Sequence, residues 1–148
     1  MSTATVSAPR PPRVVADSNV FISALLGSAQ AAAVLTLAQQ ATIALYASNY
    51  IFMEVAKVLD DKFSWAPSRI ADALQGVRGC VRLVSPGRHR ITVVRDPKDN
   101  PILECARTAR ARYLVTGDRD LLILRSYARL RILTIRDFLI LYPSTSDT

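Results

Sequence analysis

The stretch that decides the fold is Arg95-Asp-Pro-Lys-Asp-Asn-Pro-Ile-Leu-Glu104, which directly follows the apolar run Ile91-Thr-Val-Val94. This order predicts a strand, a tight turn and then the start of a helix, with Pro101 suited to the first helical position. A simple interpretation is that Asp99 or Asn100 only caps that helix.

The same arrangement recurs elsewhere in the chain. Asp17 follows the apolar run Arg13-Val-Val-Ala16, and Asp118 follows Tyr113-Leu-Val-Thr116 and one glycine. Three acids at the same kind of junction favour a shared purpose over three unrelated helix caps.

Strand-like and helix-like segments alternate along the chain. Strands are predicted at 13–16, 42–46, 81–84 (an edge strand), 91–94, 113–116 and 131–134. Helices are predicted after Asp17, at 30–40, from a Ser48 or Asn49 cap to 59, around 70–77, at 101–111, around 121–124 and at 137–141, with a polar break at 60–62. This alternation predicts an α/β fold, a three-layer α/β/α sandwich with a mostly parallel central sheet.

Composition limits the class of protein. The 148 residues are 50% hydrophobic, which is typical of one folded domain, predicted here at 13–142 between a flexible leader (1–12) and a polar tail (143–148). No signal peptide or membrane span is apparent, so we expect a cytoplasmic protein. Cys80 and Cys105 form neither a disulfide framework nor a zinc pattern.

Basic charge is concentrated in the second half. Residues 82–148 carry 13 basic and 7 acidic side chains, which gives +6 of the net charge of +7, and arginines make up 16 of the 19 basic residues. Arginine suits bidentate contacts with phosphate. The charge is consistent with a solvated surface, with nucleic acid or with an acidic partner protein, and does not separate them.

The acids are expected to meet at one edge of the sheet. Ligands of such sheets bind beyond the carboxyl ends of the strands, where Asp17, Asp99 and Asp118 should emerge. Glu54 lies on or beside the apolar face of its helix and can project toward the same edge, although pairing with a basic residue at the edge of that face is the alternative.

Converging carboxylates repel one another unless a cation neutralises them. An oxygen-only ligand set suits magnesium, with manganese as the alternative, and an arginine-rich half beside it indicates phosphoryl chemistry. Asp17, Asp99 and Asp118 are the predicted ligands, with Glu54 and then Asp120 as further candidates. Asn19 and Thr116 are predicted to orient waters around them.

Four segments resemble the PIN domain, and in particular the VapC-like toxins of toxin–antitoxin pairs. They are Val14-Val-Ala-Asp-Ser-Asn-Val-Phe-Ile-Ser-Ala24, Ser48-Asn-Tyr-Ile-Phe-Met-Glu-Val55, Asp96-Pro-Lys-Asp-Asn-Pro-Ile-Leu-Glu-Cys-Ala106 and Tyr113-Leu-Val-Thr-Gly-Asp-Arg-Asp-Leu-Leu122. The resemblance runs from residue 13 to 141 and is weakest at 60–90.

The resemblance implies a magnesium-dependent endoribonuclease held inactive by a cognate antitoxin, with a homodimer expected by analogy. It implies catalytic roles for Asp17, Glu54, Asp99 and Asp118, with Asp120 as a frequent fifth acid. The basic residues nearest these acids in sequence, Arg95, Lys98 and Arg119, are the predicted RNA contacts.

Two other functions fit part of the pattern. A non-catalytic PIN module would bind RNA or a partner protein and would use the acids only as caps. A phosphatase or receiver domain also places aspartates at strand ends, but Asp17-Ser-Asn19 lacks the second acid of such phosphatases, and Glu54 has no role in that scheme.

Overall fold

The structure, a computed structural model, describes residues 10–86 and 100–143. Its six strands are β1 (Arg13–Ala16), β2 (Ala44–Ala47), β3 (Arg82–Leu83), β4 (Tyr113–Val115), β5 (Ser126–Tyr127) and β6 (Leu130–Leu133). Its seven helices are α1 (Ser18–Leu25), α2 (Ala29–Gln39), α3 (Asn49–Phe63), α4 (Pro67–Arg78), α5 (Asn100–Thr108), α6 (Arg119–Leu124) and α7 (Ile135–Leu141).

The strands form one sheet in the order β3-β2-β1-β4-β6-β5. Every pair is parallel except β5 with β6. Val14 in the centre of the sheet lies opposite Leu45 on one side and Tyr113 on the other. The mostly parallel sheet predicted from the sequence is confirmed.

Helices cover both faces of this sheet. The chain moves from β1 to β2 to β3 in one direction and then returns past β1 to β4 and β6. Because crossovers between parallel strands are right-handed, this reversal places α1 to α4 on one face and α5 and α6 on the other. The final helix, α7, packs against α2. The predicted three-layer α/β/α sandwich is therefore confirmed.

The reversal creates a switch point between β1 and β4. The helices that follow these two neighbouring strands leave toward opposite faces, which opens a crevice at the carboxyl ends of the strands. Asp17 directly follows β1, and Asp118 follows β4 after two residues. The backbone N–H of Asp17 donates a hydrogen bond of 2.9 Å to the carbonyl of Val115, which fixes the two strand ends together.

The core explains the continuous apolar runs of the strands. All residues of β2 and β4 are buried, as are Val14 to Ala16 in β1, because helices cover both faces of the sheet. Phe21 of α1 packs against Phe52 of α3, with ring centroids 5.9 Å apart. This contact holds α3 against α1 and so positions the carboxylate of Glu54 near Asp17.

Helix α3 is longer than the sequence suggested. The predicted polar break at 60–62 is wrong, because α3 continues to Phe63. Asp60, Asp61 and Lys62 are all exposed, so their charges stay in water while the helix continues. The helix begins at a Ser48 cap that accepts a 3.4 Å hydrogen bond from the Ile51 N–H, and it ends where Ser64 adopts a left-handed conformation with φ 53°.

Two further differences from the prediction lie at β5 and α5. A two-residue strand, β5, was not expected; it forms a hairpin with β6 through Ala128, which has φ 55°. Helix α5 ends at Thr108 and not at residue 111, because Arg110 takes a left-handed φ of 54° and the chain then turns into β4. The predicted strand at 91–94 lies outside the described residues.

The helices of the described ranges are shorter than the about 20 residues of a typical membrane-spanning helix. No single one is long and apolar enough to cross a bilayer, and only α1 and α2 taken together, bent by 106° at their junction, meet the length and composition requirement.

Candidate active site

Three of the predicted acids line one crevice at the switch point. The cavity has a volume of about 350 Å³. Its lining includes Asp17, Glu54 and Asp118, and we call it the acid pocket; the other lining residues are Ser18, Asn19, Lys57, Val58, Asp61, Lys62 and Ile102. The acids come from the ends of β1 and β4 and from the second turn of α3, as the sequence predicted.

Asp17 is the most enclosed of the three acids, with 3% of its surface exposed. Its Oδ2 accepts a 2.8 Å hydrogen bond from the hydroxyl of Thr116, and its Oδ1 lies 3.2 Å from the hydroxyl of Ser18. Its side chain makes no cap hydrogen bond to α1. Helix capping therefore does not explain Asp17.

Burial raises the pKa of Asp17, and the negative charge of Glu54 raises it further. The hydrogen bonds from Thr116 and Ser18 act in the opposite direction but do not cancel the effect of burial. The free energy of ionising Asp17 is thus higher than for a carboxyl group in water. A bound cation would lower it.

Glu54 is linked to Asp17 through a single hydroxyl. Its Oε1 accepts a 2.7 Å hydrogen bond from Ser18, the same hydroxyl that lies 3.2 Å from Asp17. Ser18 is 4% exposed and has one hydroxyl proton to share between the two carboxylates. Glu54 is therefore bonded to a buried hydroxyl, whereas the alternative interpretation had placed it in a pair with a basic residue.

Asp118 combines the two roles that the sequence left open. Its Oδ1 accepts a 2.8 Å hydrogen bond from the Asp120 N–H and so caps α6. Its own N–H donates to the Thr116 hydroxyl at 3.0 Å. Because the cap uses one carboxylate oxygen, the other can face the acid pocket. Asp120 does not line that pocket.

Thr116 contacts two of the acids directly. It is completely buried, and its hydroxyl contacts Asp17 and the Asp118 backbone. The structure therefore shows this hydroxyl fixing two of the acids, and its predicted role in orienting a water stays a prediction. Asn19, predicted for the same water-orienting role, is exposed and lines the pocket.

Two lysines in the pocket were missed by the sequence analysis. Lys57 and Lys62 follow Glu54 on α3 at spacings of three and eight residues, which places all three on one side of the helix. The spacing was a usable signal, but charged residues at such positions are usually only solvated. The lysines put positive charge beside the acids, which suits a ligand that carries phosphate.

The remaining predicted residues divide into two groups. Asp99, Arg95 and Lys98 lie outside the described residues. Arg119 is exposed at the first position of α6 and is absent from the lining of the acid pocket. Asn100, which begins α5, buries its Oδ1 without a hydrogen-bond partner among the described residues.

The chemical type of the side chains in the acid pocket, oxygen acceptors only, suits a hard divalent cation. The side-chain acceptors that line the acid pocket are all oxygens, those of four carboxylates together with the Ser18 hydroxyl and the Asn19 amide, and neither histidine nor cysteine lines it. Within residues 10–86 and 100–143, no group of three His, Cys, Asp or Glu side chains is close enough to hold a metal ion by itself. A complete site would therefore draw on a further ligand, and Asp99 is the predicted one.

Comparison with known proteins identifies the family. The family model described as PIN domain matches residues 13–120, which is well over half of the 148-residue chain. The match includes β1 to β4 and the acid pocket and ends at Asp120, before β5, β6 and α7. No curated protein matches the chain. PIN domains are generally nucleases, and this chain belongs to the PIN domain family.

Proposed function

We propose that the chain is a magnesium-dependent endoribonuclease that hydrolyses phosphodiester bonds of RNA. The observation that carries this proposal is the joining of Asp17, Glu54 and Asp118 in one pocket by the hydroxyls of Ser18 and Thr116. Isolated helix caps would not need buried hydroxyls that connect one acid to the next. In a non-catalytic module, an ionised carboxylate buried at Asp17 would lower stability without serving a function.

Magnesium, or manganese in its place, would be held by Asp17, Glu54, Asp118 and Asp99, with Asp120 as a further candidate. When bound, such an ion lowers the pKa of a coordinated water and balances negative charge on the phosphate. The hydroxyls of Thr116 and Ser18 would hold the carboxylates of Asp17 and Glu54 in position before an ion binds, since both hydroxyl-bearing residues are buried.

The lysines of the acid pocket would bind the substrate. Lys57 and Lys62 of α3 line the same cavity as the acids, so their ammonium groups would contact the phosphates beside the bond to be cleaved. Asn19, exposed at the first turn of α1, can donate a hydrogen bond to the ribose or to a phosphate oxygen. These side chains would orient RNA in line with the attacking water.

We further propose that this ribonuclease is the toxin of a toxin–antitoxin pair that acts on RNA in the cytoplasm, with a cognate antitoxin as inhibitor and a homodimer as the working form. The resemblance of the four sequence segments to VapC-like toxins supports this part. An adjacent reading frame that encodes a small DNA-binding protein, and growth arrest on expression that this protein relieves, would test it.

The direct test of the catalytic proposal is cleavage of single-stranded RNA with magnesium and with EDTA. We expect cleavage only with magnesium or manganese, and loss of cleavage in the Asp17→Asn and Glu54→Gln variants. Undiminished cleavage in EDTA, or by both variants, would refute the assignment. Calorimetry with manganese separates an inactive preparation of an enzyme from a non-catalytic module, which need not take up the ion.

A further inference from the structure

We propose a second RNA contact on this molecule, a groove between the end of α5 and the β5–β6 hairpin that binds the sugar-phosphate backbone. This inference rests on the proposed function, because it extends the path of the RNA substrate away from the acid pocket. We call the site the arginine groove; it is defined by Arg107, Arg110 and Arg129.

The arginine groove is a concave site and not only a charged surface. Its volume is about 620 Å³, compared with about 350 Å³ for the acid pocket. Buried apolar residues such as Leu103 form its floor, and the three arginines are exposed around it. Because the three guanidinium groups are exposed above an apolar floor, they can turn toward a ligand.

The charge of the groove is of one sign. Its lining includes three arginines and, among the described residues, no carboxylate. A guanidinium presents a rigid fork of N–H donors that matches two oxygens of a phosphate. Three of them around one groove therefore suit a chain of phosphates better than a single small anion.

Helix α5 connects the groove with the acid pocket. Ile102 lines the acid pocket, whereas the next residue, Leu103, lines the arginine groove. The helix starts at the edge of the sheet that carries the acids and ends near the opposite edge, where the Arg112 N–H donates a 2.8 Å hydrogen bond to the Arg13 carbonyl. Nine residues of helix span about 13 Å. An RNA strand that follows α5 would thus reach both sites.

An aromatic side chain favours RNA over an acidic protein segment. Tyr127 of β5 lines the groove and is half-buried, so part of its ring is available to a ligand. Bases of single-stranded RNA stack on such rings while arginines follow the backbone. A peptide rich in Asp and Glu would use the arginines but would gain nothing specific from the ring.

Binding can be measured separately from cleavage. Fluorescence anisotropy of a labelled single-stranded RNA, in EDTA over a range of salt concentrations, reports affinity and the number of phosphate contacts. The variant is Arg107→Gln with Arg129→Gln. Arg110 is left intact, because its left-handed φ of 54° would add a backbone effect to any substitution. The matched control, Arg69→Gln with Arg136→Gln, removes the same charge from α4 and α7.

We expect the groove variant to bind RNA about tenfold more weakly and its slope of log K against log salt to be smaller by about 1.4, since each lost phosphate contact on a single strand contributes about 0.7. The control should keep most of the affinity and the wild-type slope. Equal affinities and slopes for both variants would overturn the proposal. So would a groove variant that loses binding of poly-glutamate but retains that of RNA, because the partner would then be an acidic protein.

The outcome is distinguishable from failure of the proposed function. If the wild type cleaves RNA with magnesium while the groove variant binds RNA normally in EDTA, only the second contact is refuted. If the wild type cleaves no RNA, the catalytic proposal fails on its own test, and the anisotropy still decides whether the groove binds RNA.

Discussion

The hydroxyl of Thr116 donates a 2.8 Å hydrogen bond to Oδ2 of Asp17, although the two residues are 99 positions apart in the chain. The same hydroxyl accepts the Asp118 N–H at 3.0 Å. One buried side chain in the central part of the sheet therefore sets the positions of two acids at neighbouring strand ends. The geometry of the acid pocket depends on the core beneath it as well as on the acids.

Replacing Thr116 with valine should impair both stability and cleavage. The valine keeps the shape but leaves Oδ2 of Asp17 and the Asp118 N–H without the hydroxyl that each contacts, which costs about 1–3 kcal/mol for a buried group. We expect a lower midpoint in urea unfolding and slower magnesium-dependent cleavage.

Thr116→Ser is the matched control, because it restores the hydroxyl and loses only a methyl group. It should recover most of the cleavage rate even if some stability is lost. A serine variant as slow as the valine variant would show that packing, and not the hydrogen bond, is what the site requires.

Asp17→Asn should abolish cleavage and at the same time stabilise the metal-free protein. The amide removes a buried charge and its repulsion with Glu54. We expect the melting temperature in EDTA to rise by a few degrees, since about 1 kcal/mol corresponds to about 2–4 °C in a domain of this size. Asp72→Asn, on the exposed surface of α4, is the control and should change neither quantity. A less stable Asp17→Asn variant would argue against a strained carboxylate.

The stabilising effect of Asp17→Asn should depend on pH. Because the pKa of Asp17 is raised above 3.8 in the folded protein, the folded state holds this proton more tightly than the unfolded state does. Its contribution to stability is present at low pH and is lost as pH rises through the raised pKa. The difference in melting temperature between variant and wild type should therefore grow in EDTA as the pH rises from about 4, and should level off above the raised pKa. A constant difference would contradict the assignment.

Glu54→Gln should lower the pKa of Asp17. The substitution removes the nearby negative charge, and the neutral amide oxygen of Gln competes less strongly than a carboxylate for the Ser18 proton. Carbon-13 NMR titration of the Asp17 carboxyl in metal-free protein measures the effect. Asp137→Asn, an exposed acid of α7, should leave the titration unchanged. An unchanged or raised pKa in Glu54→Gln would show that the two carboxylates do not interact.

Lys57→Gln with Lys62→Gln should weaken substrate binding more than the chemical step. Removing phosphate contacts that exist before and during the reaction raises KM, and a tenfold rise corresponds to about 1.4 kcal/mol. Lysine-to-arginine substitutions at both positions keep the charge and should keep KM within a few-fold of the wild type. A fall in kcat at constant KM would instead place the lysines in the chemical step.

The sequence predicted most of what positions the site. The apolar runs before Asp17 and Asp118, and the helical spacing around Glu54, were sufficient to place three acids at one edge of a parallel sheet. These signals are strong because a strand buried on both faces must be apolar throughout. An acid directly after it must then lie at the strand end.

The parts that were missed depend on contacts that local patterns do not encode. The 60–62 segment has the composition of a turn, but α3 continues through it because exposed charges do not interrupt helical hydrogen bonds and Lys62 suits the last turn. Strand β5 has only two residues and a hairpin without glycine, so no turn signal marks it. The shared hydroxyl of Ser18 follows from the packing of α1 against α3 and has no sequence signature.

The two edge strands of the described sheet are β3 and β5, each two residues long. Such short edge strands offer few unpaired backbone N–H and C=O groups. An extended polypeptide from another molecule could therefore form few hydrogen bonds by pairing with them. We therefore expect that an inhibitor of the proposed nuclease would recognise side chains on helices or in clefts. Selectivity among inhibitors would accordingly depend on surface side chains, which can change without altering the fold.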